Sequence, residues 1–143
     1  MDGFLQNIGW LCKKYETAHR GLRIVRRTCI KEQEIQNPLV KPAILGVIRE
    51  AFDNATRHSG ADRVHLWLGL WGDHVRVVIE DNGVGFDPKP FLLAGEGRGL
   101  EKIRELTDLS GGSFLLGSIK GSGTTVEALW PWENGDGEVN RSA

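Results

Sequence analysis

Apolar residues recur at helical spacing near the start of the chain: Phe4, Leu5, Ile8, Leu11, Cys12 and Tyr15 form one stripe. A helix of about four turns is too short to be stable alone. It therefore packs on the domain or is the end of a longer helix. Leu22, Ile24 and Arg26 then alternate with Arg23, Val25 and Arg27, the period of a strand. Arg20, Arg23, Arg26, Arg27 and Lys31 make this stretch basic. Such charge blocks pairing at a sheet edge, and it would equally suit a docking face for an acidic partner.

Asn37-Pro38 and Lys41-Pro42 predict a turn and then a helix, with Pro42 at its first position. Ile44, Val47, Ile48, Ala51, Phe52 and Ala55 make the clearest helical core stripe in the chain. Glu50, Asn54 and Arg57 share a different face, and Gly60 is placed to cap the helix. Period two follows: Val64, Leu66, Leu68 and Leu70 lie on one face, with His65, Trp67 and Trp71 on the other. Gly72-Asp73 reads as a hairpin turn, and His74 to Glu80 returns with Val75, Val77 and Ile79 inward.

That strand delivers Glu80-Asp81-Asn82-Gly83-Val84-Gly85-Phe86. By itself this is a strand end with good turn chemistry. Its glycines also let backbone approach a ligand beside a carboxylate. Residues 87–98, with Pro88, Pro90, Gly95 and Gly97, predict a loop about a dozen residues long, more often a functional lid than a plain connector. A helix follows from near Gly99, with Leu100, Ile103, Leu106 and Thr107 on one face and Ser110-Gly111-Gly112 as its stop. Strands over Phe114 to Ile119 and Thr124 to Trp130 complete the pattern, and the polar tail 133–143 reads as disordered.

A chain of 143 residues suffices for one domain with a sizeable core. Its 18 basic and 19 acidic residues nearly cancel, which gives no general field for nucleic acid or membrane. No apolar run approaches the roughly 20 residues of a membrane span, and nothing at the start reads as a signal peptide. Cys12 and Cys29 lack metal or disulfide spacing, as expected of reduced thiols in a cytoplasmic protein.

A nucleoside triphosphate needs a reader for its base, donors for its phosphates and ligands for Mg²⁺. One amide oxygen of protein plus phosphate oxygens suffices for that ion, and Asn54 can supply it. Glu50, one turn earlier, can orient water or take a proton. Both also read as ordinary polar residues on an exposed helix face. Gly95, Gly97 and Gly99 stand before a helix whose free N–H groups could meet phosphate; a flexible loop has the same wording. Arg57 and Arg98 are candidate phosphate cations or solvated arginines. Neither GxxxxGK[ST] nor a GxGxxG that follows a strand and opens a helix is present.

The order of these features is more specific than any one of them. Glu50-x-x-x-Asn54, Asp81-x-Gly83-x-Gly85, Gly97-x-Gly99 and Gly123-Thr124 together resemble the ATP-binding domain of the GHKL superfamily of gyrase-type topoisomerases, heat-shock chaperone ATPases, sensor histidine kinases and mismatch-repair ATPases. Residues 49–61 are similar to the asparagine box of histidine kinases of the nitrate-sensor and DesK-like class. Residues 81–87 resemble their first glycine box, Gly97-Arg98-Gly99-Leu100 the second, and residues 121–126 the final glycine-threonine turn. The resemblance covers roughly residues 38–131.

It implies a two-layer α/β sandwich of the Bergerat type, with a mixed, mainly antiparallel sheet and helices on one face. It further implies that Asp81 accepts a hydrogen bond from the adenine amino group. Gly83, Gly85 and Thr124 would line the base pocket, and Asn54 would hold Mg²⁺. Glu50 corresponds to the water-activating residue of the hydrolases and would assist the acceptor histidine in a kinase. Gly97, Arg98, Gly99 and Leu100 would meet the phosphates with Arg57, under a short lid. His19, His58, His65 and His74 do not fit a phosphoacceptor pattern.

Residues 1–19 are accordingly expected to be the end of a dimerisation unit, 20–132 the catalytic domain and 133–143 a tail. The implied partners are ATP, the histidine-bearing dimerisation domain of the same kinase and, indirectly, a response regulator. The isolated domain would be a monomer and the full-length kinase a homodimer. The alternatives are a stand-alone serine kinase of the anti-sigma type and a degenerate nucleotide-binding module.

Overall fold

The computed structural model describes residues 3–57, 60–84, 98–119 and 121–131, with the backbone alone for 98–100 and 119. In chain order the elements are α1 (Phe4–Ala18), β1 (Arg23–Cys29), a short 3-10 turn (Glu32–Glu34), α2 (Val40–Arg57), β2 (Arg63–Trp71), β3 (His74–Asp81), α3 (Arg98–Leu109), β4 (Ser113–Ile119) and β5 (Gly123–Pro131). The proposed lid and the tail 133–143 lie outside the described residues.

The strands form one sheet in the order β1-β2-β3-β5-β4. β1 runs parallel to β2, and the other pairs are antiparallel. The parallel pair follows from connectivity, since α2 is the crossover between them. The hairpin between β2 and β3 turns on Gly72 at φ 64°, the first central position, where a two-residue hairpin favours glycine.

Period two decides which sheet face is covered. Val64, Leu66, Leu68, Val75, Val77, Ile79, Val126, Ala128 and Trp130 are buried under the helices. α2 meets them with Ile44, Val47, Ile48, Ala51 and Phe52, all buried as the stripe predicts. The other face carries His65, Trp67 and Trp71. There the Arg76 guanidinium lies 5.6 Å from the Trp67 ring and 5.0 Å from the Trp71 ring, and pairs with Glu127. The fold is thus the expected two-layer one, with β1 a basic edge strand.

Element boundaries move by a residue or two. α2 begins at Val40, ahead of Pro42, because Asn37 starts it: its Oδ1 accepts the Leu39 N–H at 2.9 Å and its carbonyl accepts that of Val40 at 3.1 Å. Pro42 then sits inside the first turn, where a missing N–H costs no helical bond. α3 ends as its glycines predict. The Gly112 N–H reaches the Thr107 carbonyl at 2.8 Å, the Gly111 N–H that of Asp108 at 3.1 Å, and Gly111 has φ 85°.

α1 packs on the domain. It buries Phe4, Ile8, Leu11, Cys12 and Tyr15. The Phe4 N–H donates to Glu32 at 3.0 Å, and Glu16 accepts the Ile24 N–H of β1 at 2.7 Å. Among the described residues no helix is long and apolar enough to cross a membrane.

Candidate functional site

Five elements begin or end at the same side of the molecule: α2, α3, β2, β3 and β5. α2 and α3 approach at Gly46, where an added β-carbon would stand 2.6 Å from Leu106 Cδ1. One turn further along α2, Glu50 faces Lys102 at 3.4 Å. Four residues up α2 match four residues down α3, so the two helices run in opposite directions. Continuing that register brings Asn54 level with Arg98, where α3 starts. The end of α2 is close to the start of β2, since the Ala61 N–H donates to the Ala55 carbonyl at 3.1 Å. β2 in turn pairs Val64 with Asp81, and β3 pairs Asp81 with Thr124. Topology therefore gathers Asn54, the start of α3, Asp81 and Thr124 at one end of the sandwich, from four separate stretches of sequence.

Asp81 is the last residue of β3 and is directed to the helix side of the sheet, in the same alternation as Val77 and Ile79. Its Oδ1 accepts the Gly83 N–H at 2.8 Å, and the carboxylate also accepts the Thr124 backbone N–H. Burial pushes its pKa above the ordinary carboxylate value even though both N–H groups pull the other way. Such a carboxylate is short of polar contact and would gain from a ligand donor. Opposite it, Thr124 is only 3% exposed, and its hydroxyl lies 3.0 Å from Ser118 Oγ.

Gly123 enters the sequence reading only as half of the glycine-threonine turn and not as a site residue, yet it shapes the site. Its φ is 93°, and an added β-carbon would collide with the Asp81 carbonyl oxygen. The glycine-threonine turn was visible in the sequence; what it touches, 42 positions back, was not. Asn82 was also missed. Its Oδ1 accepts the N–H groups of Asp62 and Arg63 at 3.1 and 3.0 Å, and its Nδ2 donates to Asp62 at 2.7 Å. These bonds fasten the segment after Asp81 to the start of β2.

On α2, Glu50 is half-buried and its only ion pair among the described residues is with Lys102. Lys102, a third residue not singled out from sequence, is 61% exposed, so this pair is well screened and adds little stability. Asn54 is half-buried and makes no side-chain hydrogen bond among the described residues, while Arg57 is exposed at the helix end. Gly83 is buried beside Asp81. The backbone of Arg98, Gly99 and Leu100 opens α3; Gly85 and Gly97 lie outside the described residues. Among those residues no group of three or more His, Cys, Asp or Glu side chains could hold a metal, so any divalent ion here would need oxygen from elsewhere.

A model of the histidine kinase-, DNA gyrase B-, and HSP90-like ATPase family matches residues 40–134, the span that holds all of these positions. The chain belongs to this family. Its curated relatives include the sensor histidine kinase MctS of Rhizobium johnstonii, 36% identical over 104 residues, which are 71% of this chain and 22% of that protein. Sensor histidine kinase LiaS of Bacillus subtilis is 31% identical over 106 residues, 72% of this chain and 29% of that one. The chain thus spans about a quarter of the length of these relatives. Among solved structures, the histidine kinase domain of the blue-light activated histidine kinase EL346 from Erythrobacter litoralis superposes with a TM-score of 0.72 at 18% identity, covering 90% of this chain and 61% of that one. The ATP binding domain of PrrB from Mycobacterium tuberculosis gives 0.65 at 21% identity, covering 85% and 88%. Fold and family agree: this is an ATP-binding domain of the histidine kinase kind.

Proposed function

We propose that this domain binds Mg-ATP and presents the γ-phosphoryl group to a histidine on a separate dimerisation unit of the same kinase. The observation that carries the reading is the Asp81–Thr124 cross-strand pair: a desolvated carboxylate backed by a glycine whose β-carbon position is filled by backbone. Asp81 accepts the adenine amino group, with Thr124, Gly83 and Gly85 beside the base. The backbone of Gly99 and Leu100, in the first turn of α3, faces the phosphates together with Gly97 of the second glycine box, and Arg57 and Arg98 supply charge. The Asn54 amide, which has no other partner among the described residues, fits a single hard oxygen ligand for Mg²⁺, the remainder coming from phosphate and water. Glu50 stands one turn from it to assist the acceptor histidine.

In the reaction the bond from the γ-phosphorus to the β,γ-bridging oxygen breaks and a phosphorus–nitrogen bond to imidazole forms, with ADP leaving. Such transfer needs mainly positioning and charge neutralisation from the protein. In this reading α1 is the end of a helix arriving from the dimerisation unit. A response regulator receives the phosphoryl group afterwards, the domain works in the cytoplasm, and the isolated chain is a monomer while the whole kinase is a homodimer.

Transfer of labelled γ-phosphate from ATP to an acceptor domain supplied separately tests this directly. Acid-labile, base-stable label on a histidine is expected; label on serine would instead favour a kinase of the anti-sigma type. The metal assignment has its own test. Asn54→Ala is expected to bind Mg-ATP roughly tenfold more weakly while metal-free ADP binding changes by less than about twofold. Equal losses in both calorimetric titrations would remove Asn54 from the metal.

A further inference from the structure

The Tyr15 hydroxyl is buried where α1 crosses α2. It donates its one proton to Asp53 Oδ1 at 2.5 Å, with the Arg49 carbonyl oxygen 3.5 Å away. Arg49 and Asp53 are the immediate neighbours of Glu50 and Asn54 in sequence, so this contact spans the helical turn that carries both. The ring is held as firmly as the hydroxyl. It packs edge-on against Phe52 at 5.2 Å between centroids and stacks on His19 at 6.0 Å. Of the directional bonds that fasten α1 among the described residues, those from Phe4 and Glu16 go to the 3-10 turn and to β1; only that of Tyr15 goes to α2.

A phenylalanine would fill the same apolar space. A hydroxyl taken out of water is tolerated only with a good partner, and this one has a charged acceptor at short range. Burial and the neighbouring carboxylate also raise the tyrosine pKa, so the group remains a donor at neutral pH. Family membership assigns no role to Tyr15 or Asp53, and the chain's own packing does.

We propose that Tyr15 is a positioning residue for the nucleotide site: through Asp53 it holds the α2 turn that presents Glu50 and Asn54, and so couples the seating of α1 to Mg-ATP binding. This rests on Asn54 being the metal-bearing residue. A shift of α1 that breaks the bond loosens the turn, which gives whatever lies upstream a mechanical route to the site.

The test is calorimetry on the full 143-residue chain with Tyr15→Phe, Asp53→Ala, Asp53→Asn and the double variant Tyr15→Phe/Asp53→Ala. Tyr15→Phe is expected to weaken Mg-ATP binding roughly three- to tenfold and leave metal-free ADP binding unchanged. Asp53→Ala should match it, Asp53→Asn, which keeps an acceptor oxygen, should restore most of the affinity, and the double variant should add little to either single change. A purely structural role would lower the melting temperature of Tyr15→Phe with Mg-ATP affinity intact, and that result overturns the inference. Additive losses in the double variant overturn it as well. Should Tyr15→Phe not fold, the contrast between Asp53→Ala and Asp53→Asn decides by the same criteria. A parent chain that binds no Mg-ATP sinks the proposed function itself; a parent that binds it, beside a Tyr15→Phe chain that binds equally well, sinks only the role of Tyr15.

Discussion

Asp81→Ala is expected to bind ATP roughly 10- to 100-fold more weakly than the parent chain, the equivalent of one charge-assisted hydrogen bond in a partly buried site. The size follows from the environment. The carboxylate is half-buried at a strand end, holds among the described residues only the backbone N–H groups of Gly83 and Thr124, and is disfavoured in its charged form by burial. A ligand amino group supplies the donor that water can no longer give freely. Asp81→Asn is the shape-preserving control: it offers its own N–H where the ligand needs an acceptor, so affinity falls while the strand end remains. Isothermal titration of both variants with ATP checks the assignment, and unchanged affinity in both would falsify it.

The same carboxylate leaves a trace in the protein without nucleotide. Its folded pKa is raised above the unfolded value of about 3.9. The stability linked to it is therefore fully present below that value and lost as pH rises through the raised one. Asp81→Asn removes this term, so its melting temperature should fall less than that of the parent over the same rise in pH.

Gly123→Ala is expected to cost about 3 kcal/mol or more of stability, for two reasons that add. Its backbone lies at φ 93°, where an L side chain is strained, and the new methyl would run into the Asp81 carbonyl oxygen. Backbone cannot yield as a flexible side chain can, so β3 and β5 must part where the site is built. A fall in melting temperature of roughly 10 °C is the expected reading for a chain of this size. Gly121→Ala is the comparison: at φ 87° it shares the strain, but among the described residues nothing stands within 4 Å of its β-carbon, so it should lose less. Equal losses at the two glycines would show that conformational strain alone, without the clash, accounts for the effect.

Much of the fold was legible from period and punctuation. The α2 stripe, the alternation of β2 and β3, and the glycine stops of α2 and α3 all gave elements within a residue or two of those observed. The misplaced entry of α2 shows the limit of such reading. Pro42 is a good first-turn residue, but the side chain of Asn37 decides where the turn begins. Asp81, Asn54, Glu50 and Thr124 could be named as candidates because their residue types stand in a fixed order with glycines beside them. Gly123 and Asn82 were read only as parts of their glycine motifs, and Lys102 was not singled out. The role of each is a contact with a residue 19 to 52 positions away, and no local pattern encodes it.

The sequence by itself determined the order of elements, the covered face of the sheet and the family, because alternation, helical stripes and glycine spacing are local consequences of backbone geometry. Only the tertiary structure decided which residues meet at this end of the sandwich and what leans on them. The strand pairing that sets Asp81 opposite Thr124, the glycine that admits the Asp81 carbonyl, and the tyrosine of α1 that reaches Asp53 are all long-range contacts. Whether α1 packs on the domain was open in the stripe alone. It was settled by burial of its apolar face against α2 and by a hydroxyl that finds a buried partner there, since that partner outweighs the cost of taking the hydroxyl from water.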